Sequence, residues 1–178
     1  MRLKCEKIVL LGYMGSGKTQ VGQLISELLS IEFIDLDQQI EKLENRSVAQ
    51  IFEEKGAIYF RKRERSILMD LINKNNRCVL SLGGGTPCYY DNMELINNHV
   101  HTKSIYLDAS IPILTQRLII ERAHRPLIAN MENETDLMEF IGKHLFERRA
   151  FYQMADLKVN TSDLTPIQVA SAVIKALR

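Results

Sequence analysis

Eight residues limit what this chain can fold into more than any others. Gly12-Tyr13-Met14-Gly15-Ser16-Gly17-Lys18-Thr19 has the spacing G-x-x-x-x-G-K-[ST], between the apolar run Ile8–Leu11 and the helix-like stretch Gln20–Ser30. A buried strand, a tight turn and a helix must follow one another there. Three of the nine glycines fall inside six of these positions, so the backbone can turn closely enough to aim several N–H groups at phosphate oxygens. The positive end of the following helix lies behind them. Lys18 reaches the β and γ phosphates as a compact cation, and the Thr19 hydroxyl suits a Mg2+ ion bridging them. Gly15, Ser16, Gly17, Lys18, Thr19 and Gln20 are therefore the candidate cradle for a nucleotide. The motif does not identify the acceptor.

The rest of the chain continues the alternation. Cys78–Leu82 is a second apolar run ending in glycine, and Glu32–Leu36, Lys103–Leu107 and Leu157–Asn160 are further strand candidates, each followed or preceded by helix-like sequence. This predicts an α/β layer structure with buried parallel strands. Ser47 with Gln50 makes a capping-box pattern ahead of Val48, Ile51 and Phe52, with Gly56 as a stop. Thr165, Pro166 and Gln168 open an amphipathic C-terminal helix. At 178 residues and 46% hydrophobic, the chain fits one domain, 1–178, with a substantial core.

Charge and cysteine usage narrow the class. Lys plus Arg total 23 against 22 Asp plus Glu, so no overall field draws nucleic acid or an anionic membrane. Cys5, Cys78 and Cys88 are an odd number without C-x-x-C spacing, which suits buried thiols in a reducing compartment. The N-terminal apolar stretch is too short for a secretory signal or a membrane span. A cytoplasmic protein with no nucleic-acid or membrane partner is expected. The four histidines lack zinc-site spacing.

Three further groups carry possible chemistry. Gly83, Gly84 and Gly85 stand at the C-terminal end of a predicted strand, the edge where open α/β sheets bind ligands, so their backbone amides can face a second ligand. No Asp ends that strand, so the usual magnesium-supporting carboxylate is absent from it. Phe33-Ile34-Asp35-Leu36-Asp37 ends another strand with two acids that face one way if the strand stays extended. Asp35 suits a magnesium-bound water, and Asp37 suits an acceptor hydroxyl and its proton, although Asp37 is equally placed to cap a Gln38–Leu43 helix.

The arginines are less specific. Phe60-Arg61-Lys62-Arg63-Glu64-Arg65 puts Arg61 and Arg65 on one helix face, with Glu64 able to pair with either; such a run is as readily a solvated basic face as a ligand site. Between Arg122 and Glu134 the apolar stripe lapses and Pro126, Asn130 and Asn133 appear. This reads as a mobile segment or a surface loop, with Arg125 entering over the phosphates if the segment closes. Of Arg148 and Arg149, one is expected to face inward.

In order, G-Y-M-G-S-G-K-T, F-I-D-L-D, F-R-K-R-E, S-L-G-G-G-T-P, H-R-P-L and E-R-R-A-F-Y resemble the shikimate kinase family, from about Ile8 to Leu177. The resemblance implies a P-loop kinase fold: a five-stranded parallel sheet flanked by helices, with a mobile lid at about 122–134 and an acceptor-binding region at about 37–65, in a monomer. It implies transfer of the ATP γ-phosphoryl group to the 3-hydroxyl of shikimate, giving shikimate 3-phosphate and ADP on the route to chorismate and aromatic amino acids. ATP is then the co-substrate and Mg2+ the metal, with Thr19 and Asp35 at the ion. By position, Asp37 is the acid that binds ring hydroxyls and assists deprotonation, and Arg61 and Arg148 clamp the shikimate carboxylate. Gly83, Gly84 and Gly85 supply backbone contacts to the acceptor. Arg125 resembles a lid arginine that stabilises the transferring phosphoryl group, alongside Lys18, and Arg117 resembles an adenine-flanking arginine. The Asn160–Thr165 loop is expected near adenine but carries no diagnostic motif.

Two rivals stand beside that reading. Another small-metabolite P-loop kinase, such as a gluconate kinase, would share the phosphate loop but need no carboxylate clamp in this arrangement. A non-catalytic nucleotide switch would carry N-K-x-D, whereas Asn73-Lys74-Asn75-Asn76 lacks the Asp.

Overall fold

The computed structural model describes residues 5–122, 127–129, 131 and 133–178. Its centre is a parallel sheet of five strands: β1 (Lys7–Leu11), β2 (Glu32–Asp35), β3 (Cys78–Ser81), β4 (Thr102–Asp108) and β5 (Leu157–Asn160), in the order β2-β3-β1-β4-β5. Helices α1 (Lys18–Leu29), α2 (Leu36–Glu44), α3 (Val48–Asn73), α4 (Asn92–Asn98), α5 (Ile111–Glu121), α6 (Glu134–Tyr152) and α7 (Pro166–Ala176) connect and cover it. Every predicted strand is present.

The apolar runs are continuous because both faces of the sheet are covered. Along β1, Ile8 and Leu10 pack with Val21 and Ile25 of α1 and Val169 and Val173 of α7. Val9 and Leu11 belong to the opposite core, with Leu68 of α3, Leu114 of α5 and Ile141 of α6. Each such side chain contributes roughly 1.5–3 kcal/mol on burial. Cys5 and Cys78 are buried and Cys88 is half-buried. Among the described residues, no helix is long and apolar enough to cross a membrane.

Two helix starts explain how the site is built. The capping box at Ser47 forms as its sequence predicts, with Gln50 N–H donating to Ser47 Oγ at 3.2 Å and Ser47 N–H to Gln50 Oε1 at 2.8 Å. At the end of β2 the expectation of an extended Asp35-Leu36-Asp37 is corrected. The strand stops at Asp35, whose Oδ1 accepts from the N–H groups of Asp37 at 3.1 Å and Gln38 at 3.3 Å. Asp35, not Asp37, is the cap, because only a residue just before the first turn can reach those amides. Farther on, α3 is two helices meeting at a kink, and Gly56, with non-helical backbone (φ 78°, ψ 170°), ends the first of them as the sequence predicts.

Strand order places the site. The chain leaves β1 toward β2 and β3 and later crosses to β4. The turns after β1 and β3 therefore flank the point where the winding reverses, at the C-terminal edge where such sheets hold ligands.

Candidate active site

The turn after β1 has the shape its glycines allow. Gly15 (φ 78°) and Gly17 (φ 93°) are left-handed, and Gly17 caps α1 with no side-chain hydrogen bond to the helix's first N–H groups. No acidic side chain occupies that first turn, so those donors are left for an anion. Lys18 Nζ donates to the carbonyls of Gly12 at 2.8 Å and Tyr13 at 3.0 Å, arching over the loop. Ser16 is 1% exposed and its Oγ has no hydrogen-bond partner among the described residues. Thr19 Oγ1 stands 3.5 Å from Asp35 Oδ2.

That last pair answers the absence of an acid at the end of β3. Asp35 pairs in register with Ser81, one strand over, so β2 supplies the carboxylate that β3 lacks. One of its oxygens caps α2 and the other faces Thr19. The donor set, a hydroxyl beside a carboxylate oxygen, is hard and sparse, and among the described residues no three His, Cys, Asp or Glu side chains converge. This fits Mg2+, which takes few protein oxygens and fills its shell with water and phosphate.

With the cap supplied by Asp35, Asp37 is free to face the cleft from the first turn of α2. Its carboxylate lies against the turn after β3: a Cβ added at Gly83 would sit 2.8 Å from Asp37 Oδ1. Burial, then the neighbouring charges of Asp35 and Glu64, push its pKa up to about 6, with Lys18 and Arg61 opposing them. A carboxylate so poised is ionised at neutral pH yet basic enough to take a proton.

Arg61 is held behind that turn rather than solvated. Its Nη1 meets Glu64 Oε2 at 2.6 Å, and Glu64, 1% exposed, also accepts from Thr86 Oγ1 at 2.7 Å. The guanidinium lies 4.1 Å from the Tyr89 ring centroid, and a Cβ at Gly85 would stand 2.8 Å from Arg61 Nη2. Arg65 turns away to Asp91. On α6, Arg148 faces inward and Arg149 is exposed. Arg148 reaches the middle of the same turn, with Nη1 4.0 Å from a Cβ built on Gly84.

A cleft of about 560 Å³ joins these parts. It is lined by the predicted Gly15, Ser16, Gly17, Lys18, Thr19, Gln20, Asp35, Asp37, Gly83, Gly84 and Arg117. Arg61, Gly85 and Arg148 lie just beyond its Gly83–Gly84 wall. At the other end, Arg117 donates to the carbonyls of Gly15 and Thr161, both at 3.1 Å. Thr161 and Leu164, from the Asn160–Thr165 loop expected near this end but not singled out as site residues, line the wall there with Pro166. Arg125 lies outside the described residues, as does much of the expected lid. Of the described part, Ile128 is buried in the core and Met131 N–H donates to its carbonyl at 3.1 Å.

A phosphate-binding loop and a second glycine turn opening into one crevice define a P-loop phosphotransferase for a small acceptor. The model of the shikimate kinase family matches residues 14–178. A shikimate kinase from Flavobacterium johnsoniae is 44% identical over 172 residues, covering 97% of this chain and 99% of the relative. The crystal structure of shikimate kinase from Bacteroides thetaiotaomicron aligns with a TM-score of 0.83 at 34% identity, covering 96% of this chain and 95% of that one. Shikimate kinase from Acinetobacter baumannii in complex with shikimate aligns at 0.84 and 29% identity, covering 97% and 92%. The chain belongs to the shikimate kinase family, ATP-dependent kinases.

Proposed function

We propose that this chain transfers the γ-phosphoryl group of ATP to the 3-hydroxyl of shikimate, giving ADP and shikimate 3-phosphate. The observation that carries this reading is that the acceptor turn abuts the phosphate loop: a Cβ on Gly84 would be 3.5 Å from Met14 N, with Asp37 and Arg61 against the glycines on either side. A carboxylated polyol seated on that turn offers its acid to Arg61 and Arg148 and its hydroxyls to Asp37. Planar guanidinium groups suit a carboxylate better than point charges do.

The chemistry follows from those positions. The acceptor hydroxyl oxygen forms the new bond to the γ phosphorus, the bond to the β–γ bridging oxygen breaks, and the hydroxyl proton passes to Asp37. Lys18 and the amides at the start of α1 hold the phosphate oxygens as charge moves toward ADP. Thr19 and Asp35 would hold Mg2+, which supplies charge neutralisation across the β and γ phosphates. Arg117 and the Thr161–Pro166 wall receive the base end. Arg125, by the family resemblance, would stabilise the transferring phosphoryl group, and residues 1–178 act as one catalytic unit, a monomer.

A coupled ADP-release assay with MgATP and a panel of shikimate, gluconate and nucleoside monophosphates tests this. Shikimate-dependent ADP release alone is expected. Turnover with gluconate in its place would move the chain to the rival small-metabolite reading.

A further inference from the structure

Tyr13 occupies a variable position of the phosphate-loop pattern, yet its side chain does not serve the phosphates. It is 1% exposed and wedged beneath α6. His144, Arg148 and Tyr152 stand four residues apart along that helix, forming one stripe, and between them they meet both glycine turns of the cleft. The Tyr152 hydroxyl donates to the Gly84 carbonyl at 2.6 Å. The Arg148 guanidinium lies 5.8 Å from the Tyr13 ring centroid. His144 Nδ1 lies 3.3 Å from the Tyr13 hydroxyl, and its ring packs on Phe140 with centroids 4.1 Å apart.

A buried phenol needs a partner, and His144 is the one given to Tyr13. Desolvation and the nearby charge of Arg148 hold the His144 pKa below the ordinary histidine value. An uncharged ring with its hydrogen on Nε2 accepts from the phenol through Nδ1.

We propose that Tyr13 is a positioning residue for the acceptor clamp: bonded to His144 and faced by Arg148, it ties the phosphate loop to α6 and sets where the Arg148 guanidinium stands relative to Lys18 and Asp37. This rests on the reading of Arg148 as a shikimate-carboxylate clamp.

Steady-state kinetics of Tyr13→Phe, His144→Phe and the double variant test it, since both changes keep a ring and remove only the hydrogen bond. Each single change is expected to raise the KM for shikimate about two- to tenfold, the worth of one hydrogen bond, while the KM for ATP stays within about twofold. The double variant is expected to be no worse than either single one, because one bond cannot be lost twice. His144→Asn, whose amide oxygen falls near the position of Nδ1, is expected to restore the shikimate KM. Equal rises in both KM values, additive losses in the double variant, or failure of His144→Asn to rescue would overturn the proposal. Arg148→Ala separates the two readings: an unchanged shikimate KM there means the clamp itself is wrong. A raised KM there with no effect of Tyr13→Phe leaves the clamp standing and removes the positioning role. Should Tyr13→Phe fold poorly, His144→Phe, on a half-exposed face, carries the same comparison.

Discussion

Both ends of the cleft are built on glycine-rich turns leaving a strand, but the glycines serve different physical needs. At the phosphate end, a Cβ on Gly17 would meet only a Val21 methyl at 3.9 Å. At that glycine the left-handed backbone, not space, is the constraint; Gly12 and Gly15 combine positive φ with close neighbours, Leu107 O at 2.6 Å and Leu118 Cγ at 3.1 Å. At the acceptor end, Gly83, Gly84 and Gly85 are not among the glycines with positive φ. Gly83 and Gly85 are small because charged groups crowd them, Asp37 at the first and Arg61 at the second, each 2.8 Å from where a side chain would begin. One turn needs a backbone shape, which any phosphate tail can use. The other needs room for particular side chains, which is where an acceptor would be chosen.

The largest test of that division is Lys18→Met. Loss of the cation is expected to cut kcat by at least about 10³-fold with little change in acceptor KM; a change confined to acceptor KM would break the comparison. Asp37→Asn comes next, with an expected loss of roughly 10²-fold or more in kcat/KM. In the parent enzyme kcat/KM is expected to fall as pH drops through about 6, where the Asp37 carboxylate gains its proton. A pH–rate profile of the Asn variant is expected to lack that limb.

Gly85→Ala and Gly17→Ala set the two turns directly against each other. The first pushes on Arg61 and is expected to raise acceptor KM roughly tenfold, with ATP KM nearly constant. The second strains a left-handed position, about 1–2 kcal/mol, and is expected to raise ATP KM and lower the urea midpoint. Titration of both KM values in each variant decides it.

The smallest effect is on stability. Because the folded pKa of Asp37 is raised from 3.8 to about 6, folding disfavours its charge. The cost is absent below about pH 4, where both states are protonated, and is complete above about pH 6. Asp37→Asn is therefore expected to stabilise the fold by about 2 kcal/mol at pH 7.5 relative to pH 4, a figure reduced for its partial exposure. Urea unfolding at the two pH values measures this.

Local patterns account for most of what the sequence made legible. The strands stand out as apolar runs, Ser47–Gln50 and Thr165–Gln168 form the capping boxes their spacing predicts, and the phosphate loop needs only its own residues. Asp35 and Asp37 were visible as a pair, but their division of labour depends on where a strand gives way to a helix, a one-residue matter that decides which acid caps. Arg61 read equally as surface charge until Glu64 and Thr86 were seen buried beside it. Tyr13 and His144, 131 residues apart in sequence, share no local signal. Only the packing of α6 across the phosphate loop brings them together.

The strand order has an evolutionary consequence. With β1 in the middle, residues that would grip the cyclic hydroxy acid come largely from β2, α2, α3 and the turn after β3, whereas those that would face the nucleoside come from α5 and the segment after β5. Apart from Arg148 on α6, selectivity for donor and for acceptor would thus be encoded on opposite flanks of one shared strand. A lineage can exchange one flank's preferences by drift or recombination and keep the other's, as long as the hinge of the trade, the central loop, is left untouched.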